Sequence, residues 1–247
     1  MVGIKLMVMI KVVHLNHSGF VIISQKTAVL IDYYQDTAGV LPILLSETEK
    51  VYVLSSHGHQ DHFNPEVLSL DCLCDKSKYI LSEDIRNMCN ELDLITHNNE
   101  VHFVKEGDCY EDGDLSIKTF GSTDLGVSFL IKYGGKLIFH AGDLNNWHWE
   151  KESTIEEVAE AERDFLKVLN ELKHDTCRLD LVMFPVDPRM QGDFSRGARQ
   201  FVEMFDVGVF IPMHTWGMWD QACDFSLYWN NNVEYACLKD GDCLTLK

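Results

Sequence analysis

Short blocks of apolar residues separated by polar turns dominate the first half of the chain, and such blocks predict strands. The apolar start 4–13 reads as a strand, and short strands follow at 10–15, 20–24 and 28–32, the last two joined by a turn at Gln25-Lys26. VYVLSS at 51–56 is β-branched and apolar without alternation, as in a strand covered on both faces. Asn64-Pro65 then opens a helix, with Asn64 as the cap and Pro65 at the first helical position. A strand at 78–81, a helix at 83–93 and a strand at 101–104 follow. The stretch 114–140 reads as antiparallel strands, with Gly134-Gly135 in a hairpin turn between 127–133 and 136–140. Ser153 and Glu156 form a Ser-x-x-Glu capping box that opens the one long helix, to about 173. Ile155, Val158, Phe165, Leu169 and Leu172 recur along it at helical spacing. Beyond it come a strand (180–186), a helix (195–205), a strand (208–213), a helical patch (218–230) and a final strand pair, 233–237 with 242–246. No repeat, low-complexity tract or Pro/Ser linker interrupts the series, so the whole of 1–247 reads as one domain. Two sheets with helices outside accommodate the pattern, an α/β (α+β) arrangement with polar loops meeting at strand ends.

Composition narrows the picture. With 21 basic and 39 acidic side chains the formal net charge is −18, and 46% of residues are hydrophobic, enough for a sizeable core. Such a balance argues against a nucleic-acid partner, which needs clustered Lys and Arg. No apolar run reaches the roughly 18 residues of a membrane helix. Lys5 and Lys11 interrupt the apolar start, no small-residue cleavage site follows, and Met9 is an alternative start that would make 1–8 an extension. The eight cysteines form no CxxC pair, so reduced, mostly buried thiols and a cytoplasmic setting are expected.

The chemistry concentrates in HGHQDH (57–62), directly after the buried strand 51–56. Three imidazoles and a carboxylate in six residues are borderline ligands suited to Zn, Mn or Fe. His57 and His59, two apart on an extended segment, project toward a first ion, and Asp61 and His62 toward a second. Ions about 3.5–4 Å apart are the spacing of a hydrolytic pair. Two more apolar strands end in candidate ligands: Asp143 in HAGD (140–143) and His214 in PMHT (212–215). An Asp at the mouth of a buried strand is costly unless it is paired or binds a cation; the competing readings are a loop cap for Asp143 and a core histidine for His214.

HGHQDH, HAGD and PMHT, in this order and at these separations, resemble the metallo-β-lactamase superfamily of metal-dependent hydrolases, and Asp32 in VLID matches that family's early aspartate. The resemblance spans nearly the whole chain and implies a four-layer αββα sandwich with the site at the sheet edges. It implies His57 and His59 on metal one, Asp61, His62 and His214 on metal two, and Asp143 bridging both. HSGF (17–20), the HAGD form and the late PMH are similar to the lactonase-like branch, whose best-known activity is that of ascorbate-6-phosphate lactonase. The implied cofactor is two divalent ions, Zn before Mn or Fe.

One departure stands out. The family's third imidazole for metal one belongs in FGSTDLGVSF (120–129), which contains no His. Three substitutes stay open: Asp124 in that turn, His140 if a turn at Gly142 brings it inward, and His148 in NNWHW. His97 and His102 lie too early in the chain. His17 is either a pocket residue or an ordinary strand-end histidine, and the plainer reading suits His14. Arg189 either anchors an acidic substrate group or makes a surface ion pair. Trp147, Trp149, Trp216 and Trp219 either wall the pocket or belong to the core. The expected activity is hydrolysis of a small ester, lactone or phosphoester, possible anions included, with Asp61 passing the nucleophile's proton to the leaving group. A phosphodiesterase or nuclease of the same fold and a non-catalytic metal-binding scaffold are the rivals.

Overall fold

Strands supply most of the framework in the computed structural model, which describes residues 9–72, 76–91, 100–228 and 230–246. The first sheet runs in the order β14-β1-β2-β3-β4-β5-β6. Its members are β1 (Ile10–Asn16), β2 (Gly19–Ser24), β3 (Thr27–Ile31), β4 (Lys50–Ser55), β5 (Ser77–Ser82), β6 (Glu100–Val104) and β14 (Cys243–Leu246). The second runs β13-β12-β11-β10-β9-β8-β7. It contains β7 (Cys109–Glu111), β8 (Leu115–Phe120), β9 (Ser128–Tyr133), β10 (Lys136–His140), β11 (Arg178–Pro185), β12 (Asp206–Met213) and β13 (Glu234–Tyr235).

Both sheets are built by the same rule. β1 to β3 pair antiparallel and β3 to β6 parallel. Likewise β7 to β10 pair antiparallel and β10 to β13 parallel. Parallel neighbours need crossovers, and these carry α1 (Leu41–Ser46), α2 (Ile85–Glu91), α3 (Ile155–Asp175), α4 (Arg196–Met204) and α5 (Trp219–Ala222). The two-faced burial expected for 51–56 is met: Tyr52 and Leu54 join the core between the sheets, while Val51 and Val53 pack outward with Leu44 and Leu45 of α1 and Phe63. On the second sheet, Phe165, Leu169 and Leu172 of α3 and Phe201 of α4 are fully buried. Two seven-stranded sheets with helices outside match the expected sandwich.

Four details differ from the sequence reading. The helix after residue 153 uses the overlapping box one residue later: Thr154 accepts from the Glu157 amide and Glu157 takes the Thr154 amide. Ile155 lies about 80° round the helix from Phe165 at 100° per residue, and it is 85% exposed. The two terminal strands do not pair with each other, because β13 extends the second sheet beside β12 and β14 returns to the first beside β1. Finally, among the described residues the cysteines are neither all reduced nor mostly buried. Cys223 and Cys237 form a disulfide, and Cys109, Cys177 and Cys243 are exposed, with Cys89 buried. The fold brings the end of α5 and the segment after β13 together, a proximity that spacing alone does not reveal. Among the described residues, no helix is long and apolar enough to cross a membrane.

A polar clasp ties the two sheets together. The Tyr52 hydroxyl of β4 donates to Asp112 at 2.7 Å, and Lys50 and Lys78 approach the same carboxylate at 3.1 and 3.4 Å. Burial alone would raise the Asp112 carboxyl, but the Tyr52 hydroxyl, the Asp114 amide and Lys50 outweigh it and hold Asp112 below its ordinary value. A carboxyl depressed in the folded state stabilises above its unfolded pKa, near 4, and that stability is lost as pH falls through the folded value. Thermal melts from pH 6 down to about 2 should therefore show a steeper loss of Tm for the wild type than for Asp112→Asn.

Candidate metal centre

Strand ends deliver the chemistry to one edge of the sandwich. β3 runs into Asp32, β4 into the loop 56–62, β10 into Asp143, β11 into Asp187 and β12 into His214, while the β1–β2 turn presents His17. Three of these residues have left-handed backbone: His17 (φ 55°), Asp32 (φ 47°) and His214 (φ 60°). Such conformations cost about 1–3 kcal/mol each in non-glycine residues. Local bonds sustain them, Asp32 N donating to Leu54 O at 2.9 Å and His214 N to His17 O at 3.2 Å. Gly126, with φ +71°, lets the 121–127 turn press onto the metal-motif loop, since a Cβ there would stand 2.0 Å from Ser56 O.

Buried carboxylates aim the imidazoles. Asp32, fully buried, accepts from Ser56 N and Ser56 Oγ, each at 2.7 Å, and lies 2.7 Å from His62 Nδ1. That contact leaves His62 Nε2 directed at the centre, 3.0 Å from Asp143 Oδ1. Asp187 does the same for His214, lying 3.2 Å from Nδ1 while Nε2 stands 3.4 Å from Asp143 Oδ1. On the other side His57 Nε2 is 3.5 Å from Asp143 Oδ2 and 3.0 Å from His59 Nδ1. His59 Nδ1 in turn is 3.5 Å from Asp124 Oδ2, and His17 Nε2 is 3.1 Å from Asp61 Oδ2.

Two donor groups result: His57, His59, Asp124 and Asp143, and His17, Asp61, His62 and His214, the donor atoms within each lying within 4.8 Å of one another. Asp143 turns one oxygen to each. A cation fits this geometry. Nε2 of His17, Nε2 of His62 and Oδ1 of Asp143 are buried without hydrogen-bond partners, although each has an oppositely charged or chargeable neighbour close by. With the imidazoles deprotonated, their lone pairs would converge on shared points, which suits imidazole and carboxylate ligands of a borderline or hard divalent ion.

The electrostatics agree. Burial alone would raise the Asp143 carboxyl, but His62, His214 and His57 outweigh it and hold it well below the ordinary range. Burial likewise acts to raise Asp61, and is outweighed by His17 and His62. For His62 burial acts downward, yet Asp143 and Asp32 prevail and push it up to about 10. His57 and His17 are dominated by burial and fall to about 4.

The structure separates the three substitutes for the missing imidazole. Only Asp124 joins a donor group. His140 is fully buried, but the turn at Gly142 does not swing it inward: Nε2 lies 2.9 Å from Ser18 O and Nδ1 accepts from Gly142 N at 3.1 Å. Both nitrogens of His148 are also engaged, by Asp193 O at 3.1 Å and Glu150 N at 3.2 Å. His14 contacts His17 O and Asp240, away from the donor groups. His102 sits exposed beside Glu100, and His97 lies outside the described residues. A pocket of about 250 Å³ opens over the centre, lined by Thr123, Asp124, Asp143, Trp147, Trp149, Arg189 and His214. Arg189 pairs through Nε and Nη2 with Asp187 and stacks 4.3 Å over Trp216, so it is neither a plain surface pair nor a free cation. Sequence reading missed Asp187 as a positioning group; its place at the end of strand 180–186, as for Asp32 and Asp143, was the available signal. Asp187→Asn should weaken metal binding about 10- to 100-fold in a titration with Zn while the protein stays folded by circular dichroism.

Comparisons with known proteins fit this architecture. Residues 11–159 match the family model described as β-lactamase superfamily domain. A protein named UPF0173 metal-dependent hydrolase from Heliobacterium modesticaldum is 24% identical over 217 residues, covering 83% of this chain and 82% of the relative. Among solved structures, YhfI of Bacillus subtilis, a metallo-β-lactamase fold protein, aligns with a TM-score of 0.68 at 12% identity over 96% of this chain and 99% of its own. Igni18, a metallo hydrolase from the archaeon Ignicoccus hospitalis, aligns at 0.62 and 14% identity over 97% and 99%. With its two mixed sheets, its helices outside and its His/Asp groups at the strand ends, the chain belongs to the β-lactamase superfamily.

Proposed function

We propose that the protein is a metal-dependent hydrolase of a small ester, lactone or phosphoester, with His57 and His59 on one ion, Asp61, His62 and His214 on the other, and Asp143 between them. The observation that carries this reading is the pair of donor groups sharing Asp143, whose two oxygens face opposite groups. Bound divalent ions would supply a water acidic enough to lose its proton near neutral pH and a Lewis acid for the developing oxyanion. Everything else falls to the chain. Asp32 and Asp187 hold His62 and His214 in one orientation. Asp61, the part-exposed carboxylate of the second donor group, accepts the nucleophile's proton and passes it to the leaving group. Trp147 donates Nε1–H to Asp143 O at 2.7 Å, which fixes the aromatic wall relative to the hub. Arg189, already half neutralised by Asp187, offers its remaining nitrogen to a polar or singly anionic substrate group rather than a surplus charge.

HSGF, HAGD and PMH support a lactonase-like member of the family, and the net charge of −18 speaks against polynucleotide substrates. A panel of lactones, carboxylic esters, phosphomonoesters and phosphodiesters, with Zn or Mn supplied, tests the reading. Turnover is expected in at least one of these classes, falling by about 10³-fold or more in Asp143→Ala and Asp61→Ala at unchanged secondary structure. Absence of turnover across the panel by metal-loaded protein would contradict it.

A further inference from the structure

The two donor groups differ in kind. The second offers three imidazoles and one carboxylate, all at least four-fifths buried, and two of its imidazoles are backed by the buried carboxylates Asp32 and Asp187. The first offers two imidazoles and two carboxylates, and its outward pair is half exposed, His59 at 52% and Asp124 at 49% of side-chain surface. His57 rests on the Ser56 hydroxyl at 3.0 Å instead of on a carboxylate. Asp124 is nonetheless held in place. Thr123 beside it donates to Asn145 O at 2.6 Å and accepts from Asn145 N at 3.0 Å, tying the turn to the loop that carries Asp143. Val127 N donates to Ser56 O at 2.9 Å, tying the same turn to the loop that carries His57 and His59. The 121–127 turn therefore cannot shift without moving both metal-motif loops. The buried Asp143, whose Oδ1 lacks a hydrogen-bond partner on the side of the second group, turns its Oδ2 to the first, 3.5 Å from His57 Nε2, so the group that Asp124 joins shares the same buried carboxylate.

Resting on the metal-dependent reading above, we infer that Asp124 supplies a carboxylate where the family uses imidazole, and that the two ions are consequently unlike. The second group, with His17 as an added nitrogen donor, is a tight position of the zinc type. The first, richer in oxygen and partly solvated, is a weaker and exchangeable position that tolerates Mn or Fe(II). Solvent screens its outer ligands, and without a carboxylate behind them its imidazoles are less basic.

Calorimetric titration of chelator-treated protein with Zn and, separately, Mn tests the inference, with elemental analysis after dialysis and the visible spectrum of the Co-loaded form as readouts independent of activity. The wild type should take two ions with affinities at least about tenfold apart, the weaker one lost on dialysis. Asp124→Ala and the near-isosteric Asp124→Asn should keep the tight ion and weaken the other about tenfold or more. Asp124→His should raise Zn affinity at the weak position and shift its Zn-over-Mn preference by about tenfold. His17→Ala should weaken the tight ion instead. Circular dichroism of each variant verifies the fold, and Asp124, being exposed, tolerates all three replacements. Unchanged affinities for both ions in Asp124→Ala and Asp124→Asn would overturn the inference while leaving the hydrolase reading intact. A wild type that takes up no ion at all would overturn the metal-dependent reading and this inference with it.

Discussion

Burying a carboxylate costs several kcal/mol unless opposite charge is buried with it. Asp143 is only 6% exposed, and the cost is met chiefly by His62, which Asp143 and Asp32 hold in its charged form, with His57 and His214 gathered around it from two separate strand ends. Those imidazoles must themselves be held, so further carboxylates are buried behind them, Asp32 and Asp187, each fully enclosed. The arrangement is a shell of alternating charge whose inner face still carries unpartnered nitrogen and oxygen atoms. Protein alone leaves that face incomplete, and a bound metal cation would complete it.

The sandwich makes this possible by repeating one topology twice. In each sheet an antiparallel set passes into a parallel set, so consecutive parallel strands point their carboxyl ends the same way. β3 and β4 deliver Asp32 and the 57–62 loop from one sheet, and β10, β11 and β12 deliver Asp143, Asp187 and His214 from the other. The rigid core lies behind them, with Phe139, Phe184 and Phe210 fully buried on the strands that end at the site. The left-handed turns at His17, Asp32 and His214 then bend the side chains inward, where the packed strands on either side hold them.

Much of this was legible in the chain because the decisive residues are either contiguous or follow apolar runs. HGHQDH sits whole in one loop, and Asp143 and His214 end strands readable from periodicity. What escaped was tertiary. His140 is one residue from a turn, and nothing local tells whether its ring faces the centre or, as found, the Ser18 carbonyl beneath it. Two overlapping capping boxes at 153–157 are equally good locally, and only the course of the chain into α3 chooses the second. The Cys223–Cys237 bridge and the separation of β13 from β14 into different sheets depend on long-range placement that spacing does not encode. Asp124 could be named as a candidate because its turn was where an imidazole was missing; its approach to His59 required the structure.

The central claim is that Asp143 stands between two ions, and anomalous X-ray diffraction from metal-loaded crystals tests it most directly, with data collected on either side of the Zn and Mn absorption edges. Two anomalous peaks about 3.5–4 Å apart are expected, one within about 2.0–2.2 Å of His62 and His214 nitrogens and the other at the same range from His57 and His59. An ion bound elsewhere in the molecule, with no density beside Asp143, would contradict it.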